Sequence, residues 1–536
     1  MRTVRFSLIL AVLGAMLSFG GPAQAATITV DENEDELNTD GDCSLREAIE
    51  AANTNAGVDA CPAGSGTETD TIVIPADTFT LSIPNGGEDL NQTGDLDITD
   101  DVTIDGAGAR STFIDGADLD RVFDVAPGGE TIGVLLSGLT IRNGSHPTEC
   151  GGGVRNGATL EILRVSVTDN EASCAGGIAN SAGTTSDVTL TVRESLVARN
   201  VALDDVGGGI INEGSGSFSA TSTIENVTIS GNRAAQNGGG FWNQITGSTS
   251  TLNNVTIADN TADSDGNDDG DGGGVQITGG TVTISNTIVG DNNDASTGGG
   301  TRHDDCSGTL QSNSYDLIEN TTGCTITGSQ TGNITGQDPQ LQALADEGGP
   351  TDTHQLKNNS PAVDTANPAA PDGTPPKCET VDQRGFNRPR GPRCDIGAFE
   401  RGAGEQIRCL NKKVTLEGTT GPDTLTGTSK RDVIAAGEGD DVVTTQGGND
   451  FVCAGAGNER IRTGRGTDQV IGEPGKDRVR SGPAADTVRG NGGRDRLIGG
   501  GGPDLLKGGR ARDRLIGGGG DDTCKGGPGK DKIRRC

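Results

Sequence analysis

The chain has 536 residues, of which 89 are Gly, 31% are hydrophobic and only 2% are aromatic, and its net charge is -34. That composition excludes a conventional core of large side chains, whereas a solenoid needs only thin rows of small apolar residues between its coils. The acidic balance argues against nucleic acid as a partner, although residues 401–536 carry 24 Lys and Arg against 19 Asp and Glu.

The first 25 residues have the pattern of a Sec-type signal peptide. Arg2 and Arg5 precede a mostly apolar run over 6–19, and Ala-Gln-Ala at 23–25 fits the cleavage rule. That run is too short to span a bilayer well and no later segment could, so we predict no membrane span. We expect a secreted protein, extracellular or associated with the cell surface, whose twelve cysteines form disulfides.

Residues 26–69 are predicted to form an N-terminal cap that contains the one clear helix signal. Ser44 and Glu47 make a capping-box pattern within residues 43–53, and the apolar positions there share one face. Cys43 and Cys61 flank the helix and are predicted to form a bridge worth roughly 3 kcal/mol. A short amphipathic helix before a run of strands suits a cap over the first exposed rung.

Residues 70–340 predict a parallel β-helix with coils of about 30 residues. Six strand units end in asparagine at intervals of 27, 30, 32, 28 and 32 residues, and glycine runs follow. Stacked coils would place these amides in a hydrogen-bonded ladder, with the asparagines in left-handed turns. Cys150 and Cys174 are predicted to bridge adjacent coils. The six asparagines are Asn143, Asn170, Asn200, Asn232, Asn260 and Asn292.

Residues 341–400 break the coil period and are predicted to be a C-terminal cap of the β-helix. The segment contains Ser-Pro-Ala-Val-Asp at 360–364 and ends with Cys-Asp-Ile-Gly-Ala-Phe-Glu at 394–400. Cys378 and Cys394 are candidates for a further bridge. Residues 401–418 then form a linker.

Residues 419–536 repeat every nine residues. Thirteen carboxylates fall in register from Asp423 to Asp531, with Glu459 as the one glutamate, and a small or medium apolar side chain stands two residues after each. Such a Gly-Asp nonapeptide predicts a calcium-binding parallel β-roll. Two repeats make one 18-residue turn, so alternate carboxylates stack on the same edge, and Arg-Asp-Arg-Leu-Ile-Gly recurs 18 residues apart at 494–499 and 512–517.

Calcium is the predicted cofactor because it takes six to eight oxygen ligands, which carboxylates and turn carbonyls supply. Asp504 and Asp522 follow the best glycine runs, whereas Asp432 and Asp486 lack the second glycine. Lys476, Arg494, Arg512 and Lys530 stand directly before aspartates and would compete with a metal, so the alternative is that Asp–Arg pairs replace calcium. The predicted ligands are Asp504, Asp522, Asp531, Asp495, Asp513, Asp423, Asp441, Asp450, Asp468 and Asp477.

No catalytic constellation stands out in the sequence, so a non-enzymatic role is favoured over catalysis. His303-Asp304-Asp305 is the one cluster that looks chemical, and a solvated turn is the preferred interpretation. Asp204-Asp205 and Asp268-Asp269 lie in acidic insertions, which are interpreted either as surface loops or as weak calcium ligands. Trp242 follows a glycine run and is expected to pack at a corner.

Several of these segments resemble known families. The nonapeptides resemble the hemolysin-type (RTX) calcium-binding repeat, and residues 43–53 resemble the CSLREA segment of secreted bacterial β-helix proteins. The middle is similar to the pectin-lyase-like right-handed β-helix superfamily and to polymorphic outer-membrane-type repeats. Residues 341–400 resemble the ending of the choice-of-anchor Q domain. These resemblances imply a bacterial, exported, all-β protein: a right-handed parallel β-helix followed by a C-terminal parallel β-roll.

The resemblances do not imply one activity. We expect a calcium-binding β-solenoid with a surface, adhesive or structural role and an extracellular or cell-surface polysaccharide as its partner. The alternative is a polysaccharide-active enzyme of the lyase or epimerase class built on the β-helix, because such helices often carry those activities.

Overall fold

The computed structural model describes residues 25–536 except 85–89, 184–185, 246, 267–269, 297–301, 358, 370–376, 402–407, 411, 419–420 and 438. The predicted signal peptide, apart from Ala25, and the Asp268-Asp269 pair therefore lie outside the described residues. Within the described residues the chain has one helix, and its long sheets are parallel. The predicted fold class, a parallel β-helix followed by a parallel β-roll, is confirmed.

The helix spans Leu45–Thr54 and begins as the capping box predicts. Ser44 accepts a hydrogen bond from the Glu47 amide, the Glu47 side chain accepts one from the Ser44 amide, and Asn55 ends the helix in a left-handed conformation. The buried Arg46 of this helix pairs with Asp35 at 2.6 Å and donates to the Asp95 carbonyl at 2.8 Å. The helix is thereby fixed to the start of the β-helix.

Each complete coil contributes one strand to each of four parallel faces, taken in the order first, second, third and fourth. The first and fourth faces join into one 18-stranded sheet through Cys306–Asn313. The strands of the first face are Thr27–Thr29, Asp70–Ile74, Val102–Gly106, Gly133–Ser137, Thr159–Leu163, Val188–Arg193, Ala220–Glu225, Thr249–Asn253, Thr281–Ser285, Cys306–Asn313 and Cys324–Ser329. Those of the second face are Thr78–Thr80, Phe113–Asp115, Thr140–Arg142, Ser166–Thr168, Leu196–Ala198, Thr228–Ser230, Thr256–Ala258, Ile288–Val289, Leu317–Ile318 and Ile334–Thr335.

The third and fourth faces have fewer strands, and the coils that begin before Gly133 lack a third-face strand. The third face contains Ser145–Cys150, Glu171–Cys174, Val201–Ala202, Arg233–Ala234, Thr261–Ala262 and Asn293–Asp294. The fourth contains Leu96–Ile98, Phe123–Val125, Val154–Asn156, Ile178–Ser181, Ile210–Glu213, Phe241–Gln244 and Val275–Ile277. Alternate Val, Ile and Leu side chains from these strands stack inside the coils as one continuous core.

The predicted asparagine ladder forms inside the corner between the second and third faces. From Asn170 to Asn292, each amide nitrogen donates to the amide oxygen of the next coil at 2.9 Å, and Asn292 donates to Asp305 at 3.0 Å. Asn143 is the exception, since its amide instead donates to Asp115 at 2.9 Å and Gly144 occupies the ladder position.

The expected left-handed conformation belongs to the residue before each ladder asparagine, not to the asparagine itself. Asp169, Arg199 and Asp259 have φ of 58°, 57° and 59°. This shift of one position turns the amide inward, where it also donates to a carbonyl of the preceding coil, as Asn200 does to Val167 at 2.9 Å. The sequence prediction for this turn was wrong by one residue.

A second ladder, not predicted, stacks Asn156, Asn180, Asn212 and Asn243, each the third residue of its fourth-face strand. Its amide nitrogens donate to the amide oxygen above at 2.7, 2.7 and 2.8 Å. The four residues are 24, 32 and 31 positions apart. The same spacing argument applied to this part of the coil would have found them.

All twelve cysteines lie in disulfides. The three predicted bridges, Cys43–Cys61, Cys150–Cys174 and Cys378–Cys394, are confirmed. The other three are Cys306–Cys324, Cys409–Cys453 and Cys524–Cys536.

Residues 341–400 lie along the outer side of the second face, although a C-terminal cap was expected. Leu341, Leu356 and Phe399 belong to an apolar cluster with Ile288 and Leu317 of that face. Contacts continue toward the N-terminus as far as Arg110, which donates to Asp352 at 2.8 Å. Small and apolar outward side chains on these coils provide a surface that the segment covers.

Two fully buried ion pairs organise this segment. Arg384 pairs with Asp382 at 2.7 Å, and Arg388 pairs with Glu400 at 3.0 Å with neither side chain exposed. Arg384 also stacks over the Phe399 ring at 3.6 Å. Burial and the neighbouring Glu400 carboxyl raise the pKa of Asp395 to about 7. These contacts of residues 382–388 with the motif at 394–400 therefore hold the segment together.

The C-terminal roll has two parallel sheets of seven strands, preceded by a short antiparallel pair, Arg408–Cys409 with Lys412–Lys413. Roll sheet 1 contains Leu416–Glu417, Val433–Ala435, Phe451–Cys453, Gln469–Ile471, Thr487–Gly492, Leu505–Arg510 and Thr523–Lys525. Roll sheet 2 contains Thr424–Thr426, Val442–Thr444, Arg460–Arg462, Arg478–Pro483, Arg496–Gly501, Arg514–Gly519 and Lys532–Arg534.

Strand partners within each roll sheet are 18 residues apart, as Leu497 and Leu515 are. The predicted apolar positions point inward and form a single narrow core. Ile533 is the exception at 46% exposed.

Replacing Arg388 by Met should destabilise the protein, because it leaves the Glu400 carboxylate buried without its cation. The expected loss is about 3–5 kcal/mol in the free energy of unfolding, measured by denaturant titration. Arg164→Met is the control, since it removes a half-exposed pair with Glu194 and should cost no more than about 1 kcal/mol. Equal losses in the two variants would contradict a structural role for the buried pair.

Candidate metal centre

The 18-residue coil stacks the repeat carboxylates into two columns, one on each edge of the roll. Edge 1 precedes the strands of roll sheet 1, and edge 2 precedes those of roll sheet 2. Edge 1 contains Asp432, Asp450, Asp468, Asp486, Asp504 and Asp522. Edge 2 contains Asp423, Asp441, Glu459, Asp477, Asp495, Asp513 and Asp531.

One oxygen of each carboxylate is used to join successive turns. The backbone amide of each carboxylate residue donates to Oδ1 of the aspartate 18 residues later, as Asp504 does to Asp522 at 2.9 Å and Asp495 to Asp513 at 2.9 Å. Ten such bonds of 2.8 to 3.1 Å run along the two edges. The step from Asp441 to Glu459 is not among them, since glutamate is one methylene longer.

The other oxygen is buried and has no hydrogen-bond partner in the protein. An unpaired buried polar atom costs free energy, so a repeated one indicates a missing ligand. The oxygens concerned are Oδ2 of Asp441, Asp450, Asp468, Asp477, Asp486, Asp495, Asp504, Asp513 and Asp522, and both carboxyl oxygens of Glu459.

Because these carboxyl groups are buried without a counter-charge, the pKa values of several of them are raised. Burial raises the pKa of Asp495 to about 7, and of both Asp441 and Asp468 to about 6. Burial and the adjacent Asp477 carboxyl raise the pKa of Glu459 to about 9. A bound cation would relieve the same cost that protonation relieves here.

Glycine five residues before the aspartate makes room for the unpaired oxygen. A Cβ added at Gly490, Gly499 or Gly517 would collide with Oδ2 of the aspartate in its own repeat. Gly499 and Gly490 do not have positive φ, so the close approach of the carboxylate explains the glycine there. The backbone carbonyls of these turns lie around the same space, since Gly490 and Gly508 also approach the carbonyls of Gly508 and Gly526.

These features fit calcium, which is a hard cation that prefers carboxylate and carbonyl oxygens. The Oδ2 atoms and turn carbonyls would hold the ion, and the ion would neutralise the stacked negative charge.

The upstream turns depart from the glycine pattern. On edge 1 a hydroxyl side chain replaces the glycine at Thr445, Thr463 and Ser481, and on edge 2 Ala436 and Ala454 replace it. The hydroxyls of Thr445, Thr463 and Ser481 donate to backbone carbonyls of the next turn, those of Thr463, Ser481 and Gly499. The turns from Gly490 onward carry glycine at this position on both edges and have the most room for a cation.

Seven of the ten predicted ligands, from Asp441 to Asp513, are buried in the ladder, and Asp423, Asp522 and Asp531 are half-buried. Asp432, Asp486 and Glu459 were left out of the prediction because their repeats are irregular, yet Asp486 has the same ladder bond and the same unpaired oxygen as its neighbours. The register of nine alone would have included it. The assignment of these side chains as ligands stays a prediction.

The alternative in which Asp–Arg pairs replace calcium is not what these turns show. Asp477, Asp495 and Asp513 are each flanked by two cations, but the described residues give no ion pair between them, and their Oδ2 atoms remain unpartnered. The flanking Lys and Arg side chains are exposed to solvent.

The His303 cluster is not the solvated turn that was expected. Asp305 is 1% exposed and ends the asparagine ladder, while its second oxygen accepts from the Asn320 amide at 2.7 Å. Asp304 accepts from the Asp294 amide at 3.0 Å, and His303 lies 2.6 Å from the Asp271 carboxylate. The last coil needs an acceptor below Asn292, which explains why Asp305 is buried.

The remaining candidates from the sequence are two aspartates and one tryptophan. Asp204 and Asp205 are exposed, and Trp242 is buried at 7% exposure with Ile211 and Val206 near a corner, as expected.

An acidic cluster that the sequence did not reveal lies beneath the N-terminal cap. The buried Asp95, Asp97 and Asp124 bring carboxylate oxygens within 4.8 Å of one another. Arg121 supplies counter-charge, at 2.8 Å from Asp95 and 3.7 Å from Asp124. Burial and the nearby Asp97 carboxylate nevertheless raise the pKa of Asp95 to about 9. With an arginine at its centre, this cluster is a buried ion-pair network.

Comparison with known proteins identifies the repeats. Residues 417–452, 454–488, 471–506 and 498–533 match the family model of the RTX calcium-binding nonapeptide repeat. The crystal structure of pectate lyase Pel9A is similar at 13% sequence identity and a TM-score of 0.40, over 70% of this chain and 98% of that chain, which is too remote to bear on activity. No curated protein matches the chain. Among the described residues no helix is long and apolar enough to cross a membrane.

Replacing Gly499 by Ala should weaken calcium binding, because the added methyl group occupies the space of the Asp504 carboxylate. We expect the calcium concentration at half-saturation, measured by calorimetric titration, to rise about tenfold, which is the lower end of the effect of changing a residue that supports a metal ligand. Gly501→Ala is the matched control in the same strand, since its nearest contact would be 4.0 Å away. If Gly501→Ala shifted the midpoint as much, the glycine cradle would be the wrong explanation.

Acid should stabilise the calcium-free roll. Carboxylates whose pKa is raised in the folded state, to about 7 for Asp495 and about 6 for Asp441, stabilise the fold below their ordinary pKa near 4 and lose that effect as the pH rises past 7. In chelator, the calorimetric Tm of the roll should therefore fall between about pH 5 and about pH 8. In saturating calcium the fall should largely disappear. A Tm that rises with pH in chelator would contradict this account.

Proposed function

We propose that this calcium-binding β-solenoid is a secreted protein whose C-terminal roll folds on calcium outside the cell, and that it has a surface, adhesive or structural role there. The observation that carries the proposal is the column of buried Oδ2 atoms without partners along both edges of the roll. The match of residues 417–533 to calcium-binding repeats supports the same ion.

The difference in calcium concentration between the cytosol and the extracellular space would control the folding of the roll. Extracellular calcium modules bind at roughly 10⁻⁴–10⁻³ M, far above cytosolic calcium, so the roll would stay open before export. Without a cation, stacked carboxylates such as Asp477, Asp495 and Asp513 repel one another in a buried place. Because the site does not exist in the unfolded chain, the free energy of binding becomes free energy of folding.

The disulfides support a location outside the cytoplasm. All twelve cysteines are paired in six bridges, which suits an oxidising compartment. The predicted signal peptide at residues 1–25 would supply the route. The resemblance to secreted CSLREA and choice-of-anchor Q proteins, which remains a prediction, agrees with this.

A binding or structural role is favoured over catalysis by what the polar groups of the β-helix do. His354 is buried, with Nε2 2.8 Å from the Ser230 hydroxyl and Nδ1 2.7 Å from the Gln342 carbonyl. Asp304 and Asp305 are engaged in backbone and ladder bonds. The enzyme alternative predicts release of unsaturated or reducing ends from pectate or alginate by the calcium-loaded protein, which a substrate screen would detect.

Hydrogen exchange of the full chain tests the calcium switch. In about 5 mM calcium, several times the weak end of the extracellular range, amides of residues 416–534 should be protected, and in chelator they should exchange rapidly. Amides of the β-helix at 70–335 serve as the internal control and should be protected in both conditions. Equal protection of the roll with and without calcium would end the proposal.

A further inference from the structure

The outer face of roll sheet 2 carries an unbroken file of cations. Arg460, Arg478, Arg496, Arg514 and Lys532 are in register on five successive strands, each the residue after an edge 2 carboxylate. All five side chains are exposed. Successive strands in a sheet lie about 4.8 Å apart, so the charges repeat at that interval.

A second file stands on the other side of the same carboxylates. Lys476, Arg494, Arg512 and Lys530 each precede an edge 2 aspartate and are also exposed. All of these cations except Arg460 and Lys530 form the walls of a groove of about 550 Å³, and Asp477, Asp495 and Asp513 lie along its floor. We call this the basic groove.

The cations of the basic groove stand without carboxylate partners among the described residues. Like charges directly opposite one another in a sheet are destabilising, so a file of five is a cost to the fold. Edge 1 has no such walls, because Asn449, Ala485 and Pro503 stand before its aspartates. Roll sheet 1 carries a single shorter file, Arg489, Lys507 and Lys525. The paired files are therefore confined to edge 2, which indicates a ligand that offsets their cost.

We propose that the basic groove binds a linear acidic polysaccharide, with a carboxylate-bearing sugar at each turn of the roll. The spacing between turns, about 4.8 Å, is close to the length of one hexose unit, so successive units of a polyuronate can follow successive turns, with their carboxylates within reach of the exposed cations. Lys and Arg on both walls provide donors that suit carboxylates. This names the kind of surface partner and rests on the calcium-folded roll proposed above.

Single-stranded nucleic acid is the competing polyanion, and the groove lacks what it needs. Proteins that bind single strands stack the bases on aromatic side chains. Phe451 is the one aromatic residue between positions 416 and 536, and it lies on roll sheet 1, across the core from the basic groove. The periodic charges thus favour a saccharide chain whose rings need no stacking platform.

The test uses the full chain in calcium and short oligogalacturonates that stay soluble with the ion. In the triple variant Arg478→Gln, Arg496→Gln and Arg514→Gln, affinity measured by calorimetry should fall about tenfold or more, the loss of three exposed ion pairs. The matched control neutralises Arg489, Lys507 and Lys525, which are in register on roll sheet 1. That variant has the same net charge and should keep affinity within about twofold.

Hydrogen exchange of the roll is recorded for each protein, so that failure of folding is separated from failure of binding. A calcium-protected roll that does not bind oligogalacturonate, or that loses affinity equally in both triple variants, would overturn the groove and leave the calcium switch standing. A roll unprotected in calcium would refute the switch itself. Tighter binding of a single-stranded oligonucleotide than of oligogalacturonate at equal salt would overturn the assignment to polysaccharide. Weakening by added salt, with neutral maltooligosaccharide not bound, would support it.

Discussion

Vertical stacking of a residue on its own copy governs both halves of this molecule. A solenoid places equivalent side chains about 4.8 Å apart, so each must tolerate its own kind as a neighbour. Asparagine does so unaided, because its amide is donor and acceptor at once, and Asn200 can bond both Asn170 and Asn232. An aspartate can only accept, so Asp495 on Asp513 needs a proton or a cation between turns. The β-helix therefore satisfies its stacked side chains without a ligand, whereas the roll depends on the pH and the cation concentration of the surrounding solution.

The roll is not uniform along its length. Hydroxyl or methyl groups at Thr445, Thr463 and Ala454 occupy the space that glycine leaves free near Asp495 and Asp504. Its upstream turns also lie beside the linker, where Cys409 is tied to Cys453. The upstream turns thus rely more on covalent and hydroxyl contacts, and the downstream turns more on the ion. In the downstream turns the two edges have the same ladder bonds and differ in their surface charge.

Features that repeat were predictable from the sequence, and features that occur once were not. Capping by Ser44 and Glu47, the ladder from Asn170 to Asn292 and the 18-residue coil follow from local chemistry or from period. The burial of Asp305 depends on where the last coil ends, and the convergence of Asp95, Asp97 and Asp124 depends on how the cap sits on the first coils. Neither feature recurs at a fixed interval in the sequence, so no spacing predicts it. The lateral position of residues 341–400 likewise depends on apolar side chains that several different coils present outward.

The roll is fastened at both ends. Cys409–Cys453 closes its first turns, and Cys524–Cys536 closes its last. A stack of coils ordinarily frays from its termini, because a terminal coil has only one neighbour. With both termini clasped, the weakest place moves inward, to turns that have neighbours on both sides. Local unfolding would then begin at internal turns of the stack, and neighbouring turns would open and close together.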